Sequence, residues 1–320
     1  MMKLEWDIKT CRELLLEYTP AKEKGTKIHF TGVDNLDVYN ITAPFWNEGE
    51  LYIAGRVEAR NSEDSEVIFF TRNGDVWEPK EDLTPFQLQD PFITRLDNEL
   101  IFGGVEIYRN QEPDHKIIGW RTLLYRGKTI RDFEYAVSGP WSMKDLRLNE
   151  MADGNIAVFS RPFGVEGAVA LIGFGIFESF QNLSESNIIS APVFKDQFDK
   201  NEWGGANEIH LLKNGLLGVL GHIAYRDEQK MLHYHAMSFV VNPWTREKSA
   251  MKIIAVRSDF PEGPAKRPDL VDVIFSGGMT REANDRAILY VGASDVESYC
   301  LDIPDPFTEY EQIVLAEAMS

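Results

Sequence analysis

Five times along this 320-residue chain a carboxylate or amide opens an apolar run, and about sixteen residues later a charged or ionisable side chain closes the next one. Asn40 is matched in this way by Arg56, Asp90 by Glu106, Asp145 by Arg161, and the Asn207-Glu208 pair by His222. Asp272 and Asp295 bound a looser fifth copy, in which Ser276 to Arg286 reads as a longer connection. Carboxylates beside cations equip a protein for acid–base chemistry on a polar or anionic substrate. If the copies are equivalent, Asn40, Asp90, Asp145, Glu208 and Asp272, with Arg56, Glu106, Arg161, His222 and Asp295, approach one axial pocket. Arg56, Arg60, Arg109, Arg121, Lys144 and Arg147 lie near the same phrases, the composition of a local anion site. The plainer alternative is that Asp and Asn satisfy hairpin backbones and the cations are solvated surface. Five copies in register weigh against it for the set. Asp90 stands out because Pro91 and Phe92 follow it: desolvation there is expected to disfavour ionisation, as a general acid requires.

The elements that must position these residues read as strands. The phrase recurs at intervals of fifty to sixty-five residues, and a repeat of that period cannot bury its apolar face alone. Runs rich in Val, Ile, Tyr and Phe are punctuated by Asn47-Glu48-Gly49, Asp97-Asn98, Asp153-Gly154 and Asn214-Gly215, which are hairpin signals. Five units of about four strands predict an all-β, five-bladed β-propeller, whose inner strands begin around one channel. Ile8, Cys11, Leu14, Leu15 and Tyr18 have helical spacing, so a short amphipathic helix is expected ahead of the blades. Thr19–Thr26, the polar hairpin tip Asn61–Glu66 and the Pro-rich Asp259–Pro268 are linkers, none a domain boundary. The expectation is a single domain over 1–320, with 1–26 a lead-in and 302–320 a tail whose Glu309–Ala318 stretch forms a loose helix.

Composition excludes several classes. The formal charge of −18, from 33 basic and 51 acidic residues, repels nucleic acid and anionic membranes at long range. With 43% hydrophobic residues, no apolar run approaches the roughly 18 residues that span a bilayer. Met1 to Asp7 lacks the basic start and apolar core of a signal peptide, which predicts a cytoplasmic chain. Cys11 and Cys300, isolated at opposite ends, read as core thiols rather than a disulfide or metal pair. His233-Tyr234-His235 puts two imidazoles on one strand face, yet no carboxylate run completes a metal site, so no metal is expected. Nucleophile-elbow, zincin and phosphate-loop motifs are absent, and the Gly-rich stretch Gly164 to Gly175 reads as close strand packing. Trp46, Trp141 and Trp203 stand beside repeat starts, where they could stack on sugars or pack between blades.

Several phrases resemble a known family. Ala54-Gly55-Arg56-Val57-Glu58-Ala59-Arg60 resembles the Tyr-Arg-Val-Glu-Gly-Arg segment of the β-1,2-mannoside and mannosyl-glucose phosphorylases of glycoside hydrolase family 130. Gln89-Asp90-Pro91-Phe92 is similar to their Glu-Asp-Pro-Arg segment, Gly218-Val219-Leu220-Gly221-His222 to their Ile-Tyr-His-Gly strand, and Gly292-Ala293-Ser294-Asp295 to their Gly-Ala-Ala-Asp. Over nearly its whole length the chain resembles domain-of-unknown-function family 1861, whose kinetoplastid members are the mannosyltransferase-phosphorylases of glycosyltransferase family 108. The resemblance implies a five-bladed propeller and an inverting reaction, with Asp90 as general acid and inorganic phosphate as co-substrate in place of any cofactor; run backwards, the same constellation would transfer mannose from mannose 1-phosphate or a nucleotide sugar to an acceptor. It implies phosphate contacts from Arg109, Arg121, Lys144 and His222. Asn40, Arg56, Glu58, Arg60, Asp145, Arg147, Glu208 and Asp295 are the candidate substrate-binding residues, and the expected partner is an oligosaccharide or sugar phosphate. Phe92 and Gln89 depart from the phosphorylase pattern, which predicts an altered lining. The same cavity could serve an inverting hydrolase, with Glu58, Asp145, Glu208 or Asp295 as base, or a non-catalytic carbohydrate-binding scaffold.

Overall fold

The computed structural model describes residues 4, 8–113, 115–164 and 170–313. The chain is all-β in character, with three sheets and only short helices. Among the described residues its strands fall into five consecutive antiparallel meanders. The first contains Glu50–Glu58, Glu66–Asn73 and Val76–Pro79, with Asp37–Tyr39 and Phe45–Asn47 sharing the edge of its leading strand. Gln89–Leu96, Glu99–Arg109, Ile117–Gly127 and Glu134–Ser138 make the second. Met143–Glu150, Ile156–Pro162 and Gly173–Phe177 make the third. The fourth is Glu202–Leu211, Leu217–Arg226, Leu232–Val241 and Lys252–Ala255. The fifth is Asp272–Arg281, Arg286–Ala293 and Glu297–Pro304, completed by Thr26–Lys27 from the other end of the chain.

Local chemistry explains the hairpins. Asp97 and Asn98 both have positive φ (47° and 62°), the backbone of a two-residue turn whose twist matches the strands it joins. Gly154 and Gly215 supply the same left-handed conformation in their turns. The apolar residues between turns form cores that lie between successive meanders. Phe69, Leu88 and Phe102 join the first to the second, Ile101, Leu146 and Val158 the second to the third, and Phe159, Val219 and Phe239 the third to the fourth. Leu220, Val240 and Leu289 join the fourth to the fifth, while Tyr290 of the fifth packs against the Ile53–Phe70 cluster of the first.

Three expectations change in detail. The N-terminal helix is shorter, Cys11–Glu17, because a Thr10–Glu13 capping box fixes its start and each partner satisfies an orphan amide of the first turn. Leu14 and Cys11 anchor it in the core shared by the third and fourth meanders. The looser fifth copy is not loose: Ser276 to Arg281 continues the strand, and the turn comes at Asn284-Asp285. A Cβ on Gly277, within this strand, would lie 1.6 Å from the Ile41 carbonyl oxygen. The glycine is there for close backbone approach. At the C-terminus the helix is Thr308–Glu311, and residues 314–318 of the expected segment lie outside the described residues. The Gly164–Gly175 reading likewise lies partly outside them, though Gly173–Phe177 is strand.

One backbone device recurs and places the site. Register shifts of one residue interrupt the leading strands at Gln89/Phe92, Lys144/Arg147, Ala206/Glu208 and Ser276/Gly278. Such bulges re-aim a side chain out of the alternating pattern. Asp90 and Asp145 sit in two of them with φ of 49° and 52°, and Asn40, between two strands of the first meander, has φ 47°. Asn and Asp are the non-glycine residues that tolerate this conformation best.

Candidate active site

Asn40 and the bulges of the second and third meanders open onto a polar cavity of about 250 Å³ that all five meanders line. Asn40 and Arg56 come from the first, Gln89 and Asp90 from the second, Lys144, Asp145 and Arg161 from the third, His222 and Tyr234 from the fourth, and Phe275 and Asp295 from the fifth. Asp90 is its most constrained carboxylate. Asn40 Nδ2 donates to Asp90 Oδ1 at 2.7 Å and Arg56 Nη1 donates to the same oxygen at 3.2 Å, while Oδ2 accepts no hydrogen bond from the described residues. Gly292 makes room for this pair, since a Cβ there would come within 2.1 Å of Asn40 Oδ1.

The cavity carboxylates differ in proton affinity. Burial favours the neutral form of Asp90, but Arg56, Lys144 and the Asn40 hydrogen bond outweigh it and hold the pKa below the ordinary value. This corrects the expectation from Pro91 and Phe92: in the free protein Asp90 is ionised. Asp145, also buried, is held down against desolvation chiefly by Arg161, whose Nη1 lies 2.8 Å from Asp145 Oδ2. Asp295 goes the other way. Burial, reinforced by the charge of Asp90 and only partly offset by Arg56, pushes it up to about 6. It makes no hydrogen bond or ion pair among the described residues, and it stands in a turn where Ser294 and Asp295 both have positive φ (54° and 55°).

A raised carboxyl pKa costs stability once the group must ionise, so this cost grows as pH rises from the unfolded value near 4 through about 6. Asp295→Asn is therefore expected to raise Tm by a few degrees at pH 7.5 and to have little effect at pH 4.5, where Asp295 is protonated. Thermal unfolding of both proteins at the two pH values is the check; a Tm difference independent of pH contradicts the assignment.

His222, 1% exposed, is pushed down to about 3 by burial and by Arg161. It is a neutral hydrogen-bonding group, not the phosphate-binding cation that its place in the sequence suggested. Its Nδ1 donates to Asn207 Oδ1 at 2.8 Å, which leaves Nε2 as an unpartnered acceptor. Tyr234 stacks on its ring.

Several expected residues lie elsewhere. Arg109 is on the outer part of its sheet, paired with Asp64 at 2.8 Å. Arg121 pairs with Glu106 at 3.0 Å and lies over the Trp141 ring, so Arg121, Glu106 and Trp141 all miss the cavity. Arg60 pairs with Asp37 on the surface. Glu58 is buried behind Arg56, bound to Lys266, Tyr39 and Ser65. Arg147 and Glu208 line a separate cavity of about 200 Å³ with Phe92 and His210. The bulge at Ala206/Glu208 turns Asn207, not Glu208, toward His222. Asp272 binds His233 at 2.6 Å rather than reaching the axis, and Val273 and Phe275 of its strand line the cavity instead. Trp46 is 64% exposed, and Trp203 is buried against Tyr234.

Sequence reasoning gave no binding role to Arg161, Glu63 or Arg267, which also line the cavity. The sixteen-residue interval pointed to Arg161; nothing in the polar loops pointed to the other two. Lys144 reaches the cavity without an ion pair to any described residue, its ammonium 5.7 Å from the Trp120 ring centre. Among the described residues no group of three or more His, Cys, Asp or Glu side chains is placed to hold a metal ion, and no helix is long and apolar enough to cross a membrane.

The fold has counterparts among solved structures. A β-1,2-mannobiose phosphorylase from Listeria innocua, in complex with β-1,2-mannobiose, shares the fold at 14% identity, over 92% of this chain and 95% of that one (TM-score 0.58). Residues 17–309 match the family described as a protein of unknown function, DUF1861, and the chain belongs to that family. Two Leishmania mexicana structures are much more similar. MPT-4, a mannose phosphorylase in complex with phosphate ion, is 33% identical over 96% of this chain and 95% of its own (TM-score 0.85). MPT-1, a GDP-Man-dependent mannosyltransferase, is 34% identical over 95% and 97% (TM-score 0.86). No curated protein matches the chain.

Proposed function

We propose that this chain, an enzyme of the glycoside phosphorylase and glycosyltransferase class, is an inverting β-1,2-mannoside phosphorylase. It runs the reaction in both directions between a mannoside and mannose 1-phosphate, with no cofactor beyond inorganic phosphate. The observation that carries this reading is the pairing, in one cavity, of a hydrogen-bonded Asp90 with the unpaired cation Lys144. In this reading the five meanders are the blades of a single propeller domain and the cavity is its channel.

Phosphate oxygen attacks the anomeric carbon, the glycosidic C–O bond breaks on the opposite face, and Asp90 delivers a proton to the departing oxygen. Phosphate is held by Lys144 with Arg161 beside it, replacing Arg109 and Arg121 in that role. His222 Nε2, an acceptor, suits a sugar hydroxyl rather than an anion. The ionised state of Asp90 is compatible with acid catalysis because phosphate brings negative charge against the cations that depress it. Its pKa rises as the co-substrate binds.

The test is product analysis after incubation with β-1,2-mannobiose, with and without inorganic phosphate. Mannose 1-phosphate formed only with phosphate supports the reading; free mannose regardless of phosphate makes the chain a hydrolase, with Asp145 or Asp295 as candidate base. Lys144→Met is expected to raise the KM for phosphate about 10- to 100-fold, the loss of a charge-assisted contact. Lys144 also helps to hold Asp90 ionised, so Lys144→Met should lower Tm at pH 7, but by less than loss of Arg56, since Lys144 makes no ion pair with any described residue. An unchanged phosphate KM removes Lys144 from the site.

A further inference from the structure

The cations in and beside the cavity form two groups. Lys144 and Arg161 belong to the third meander. At the mouth, Arg56, Lys266 and Arg267 gather around a single side chain, Glu63, which also lines the cavity. Arg56 Nη2 lies 3.1 Å from Glu63 Oε2, and Lys266 Nζ and Arg267 Nη1 lie 3.0 and 3.3 Å from Oε1. Both carboxylate oxygens are thus engaged by cations from opposite ends of the chain, as the oxygens of a phosphoryl group would be. Two of the three cations are built in: the Arg56 and Lys266 side chains are 6% and 3% exposed, whereas Glu63 is 37% exposed, on a loop held down by Gln89 Nε2 donating to the Glu63 carbonyl at 3.0 Å.

We propose that Glu63 fills, with its own carboxylate, the anion subsite that the second phosphate of a nucleoside diphosphate sugar needs, and so restricts this chain to partners carrying one phosphate. The inference rests on the phosphorylase reading of the same cavity and extends it to the choice of donor. A single phosphate bound at Lys144 leaves the Glu63 hub intact. A diphosphate reaching outward from the sugar must displace Glu63 or face its charge, and like charges in contact at a partly desolvated site disfavour binding strongly. Specificity here comes from a repulsive element already seated among the attracting ones.

The test compares Glu63→Gln with the unaltered protein in calorimetric binding of inorganic phosphate and of guanosine diphosphate. The expected result is phosphate binding in both, within about threefold, with diphosphate affinity rising about tenfold or more only in Glu63→Gln. Two further variants separate a site from a general change of charge. Asp64→Asn, on the same loop but paired with Arg109, should leave diphosphate affinity unchanged. Adding Arg267→Met to Glu63→Gln should abolish the gain. Phosphate binding with no diphosphate gain in Glu63→Gln overturns the inference and leaves the phosphorylase reading standing. An equal gain in Asp64→Asn also overturns it. Binding of neither ligand by the unaltered protein removes both.

Discussion

Asp90→Asn lowers kcat for mannose 1-phosphate formation by about 10²- to 10⁴-fold, the range for loss of a general acid, while phosphate binds as well as before or more tightly. Both halves follow from the geometry. The amide keeps the shape of the carboxyl and can still accept from Asn40 and Arg56, which both donate to Oδ1, but it has no ionisable proton to give to a leaving oxygen. The substitution also removes a negative charge that acts on Lys144. An incoming phosphate then meets a more positive site, so affinity moves opposite to rate. Steady-state kinetics with phosphate as the varied substrate, beside phosphate binding measured directly, separates the two effects. If kcat is unchanged, Asp90 is not the acid; Asp295, whose pKa is pushed up to about 6, would then be the carboxyl to examine. If phosphate binding is lost, Asp90 acts by organising the cations and the proton comes from elsewhere.

The repeat was legible in the sequence because the fold demands a rare backbone at a fixed place. A left-handed residue at the head of a leading strand selects Asn or Asp, so Asn40, Asp90 and Asp145 recur in register and announce the cavity. Side-chain direction was legible only up to the bulge. One inserted residue reverses the alternation, which is why Asn207 rather than Glu208 meets His222, the cavity-lining residue of that copy. Arg109 and Arg121 show a second limit: they neighbour Asp90 in sequence, but on strands that run outward and pair back with Asp64 and Glu106. Proximity along the chain measured distance along the sheet, not distance to the axis. Glu63, Lys266 and Arg267 were missed for a third reason. They sit in polar connections without periodicity, and the contact that gives them meaning, exemplified by Lys266 to Glu58, joins residues 208 apart in sequence.

The same wiring makes Arg56 the residue whose loss should cost the fold most. Its side chain is 6% exposed and bonds Asp90 at 3.2 Å, Glu58 at 3.0 Å and Glu63 at 3.1 Å, with Nε donating to Ser65 and the guanidinium over the Tyr39 ring. Arg56→Met leaves two buried carboxylates without their shared cation. Breaking a buried pair from one side costs about 3–5 kcal/mol, because the stranded charge cannot return to water. Lys266 still serves Glu58, so the larger share falls on Asp90, whose pKa is then free to rise. That gives the loss a pH signature. In the unaltered protein a depressed Asp90 adds stability above the ordinary carboxyl value near 4, and this is lost as pH falls through its lower folded pKa. Arg56→Met forfeits that contribution, so denaturant unfolding should show a large difference at pH 7 that narrows as pH falls below the ordinary carboxyl value near 4. Combining Arg56→Met with Asp90→Asn should cost less than the sum of the two, since the second substitution removes the charge that the first one strands. Strict additivity would mean that Arg56 stabilises the protein by packing against Tyr39 rather than by holding Asp90, and that the electrostatic account of the cavity is wrong at its centre.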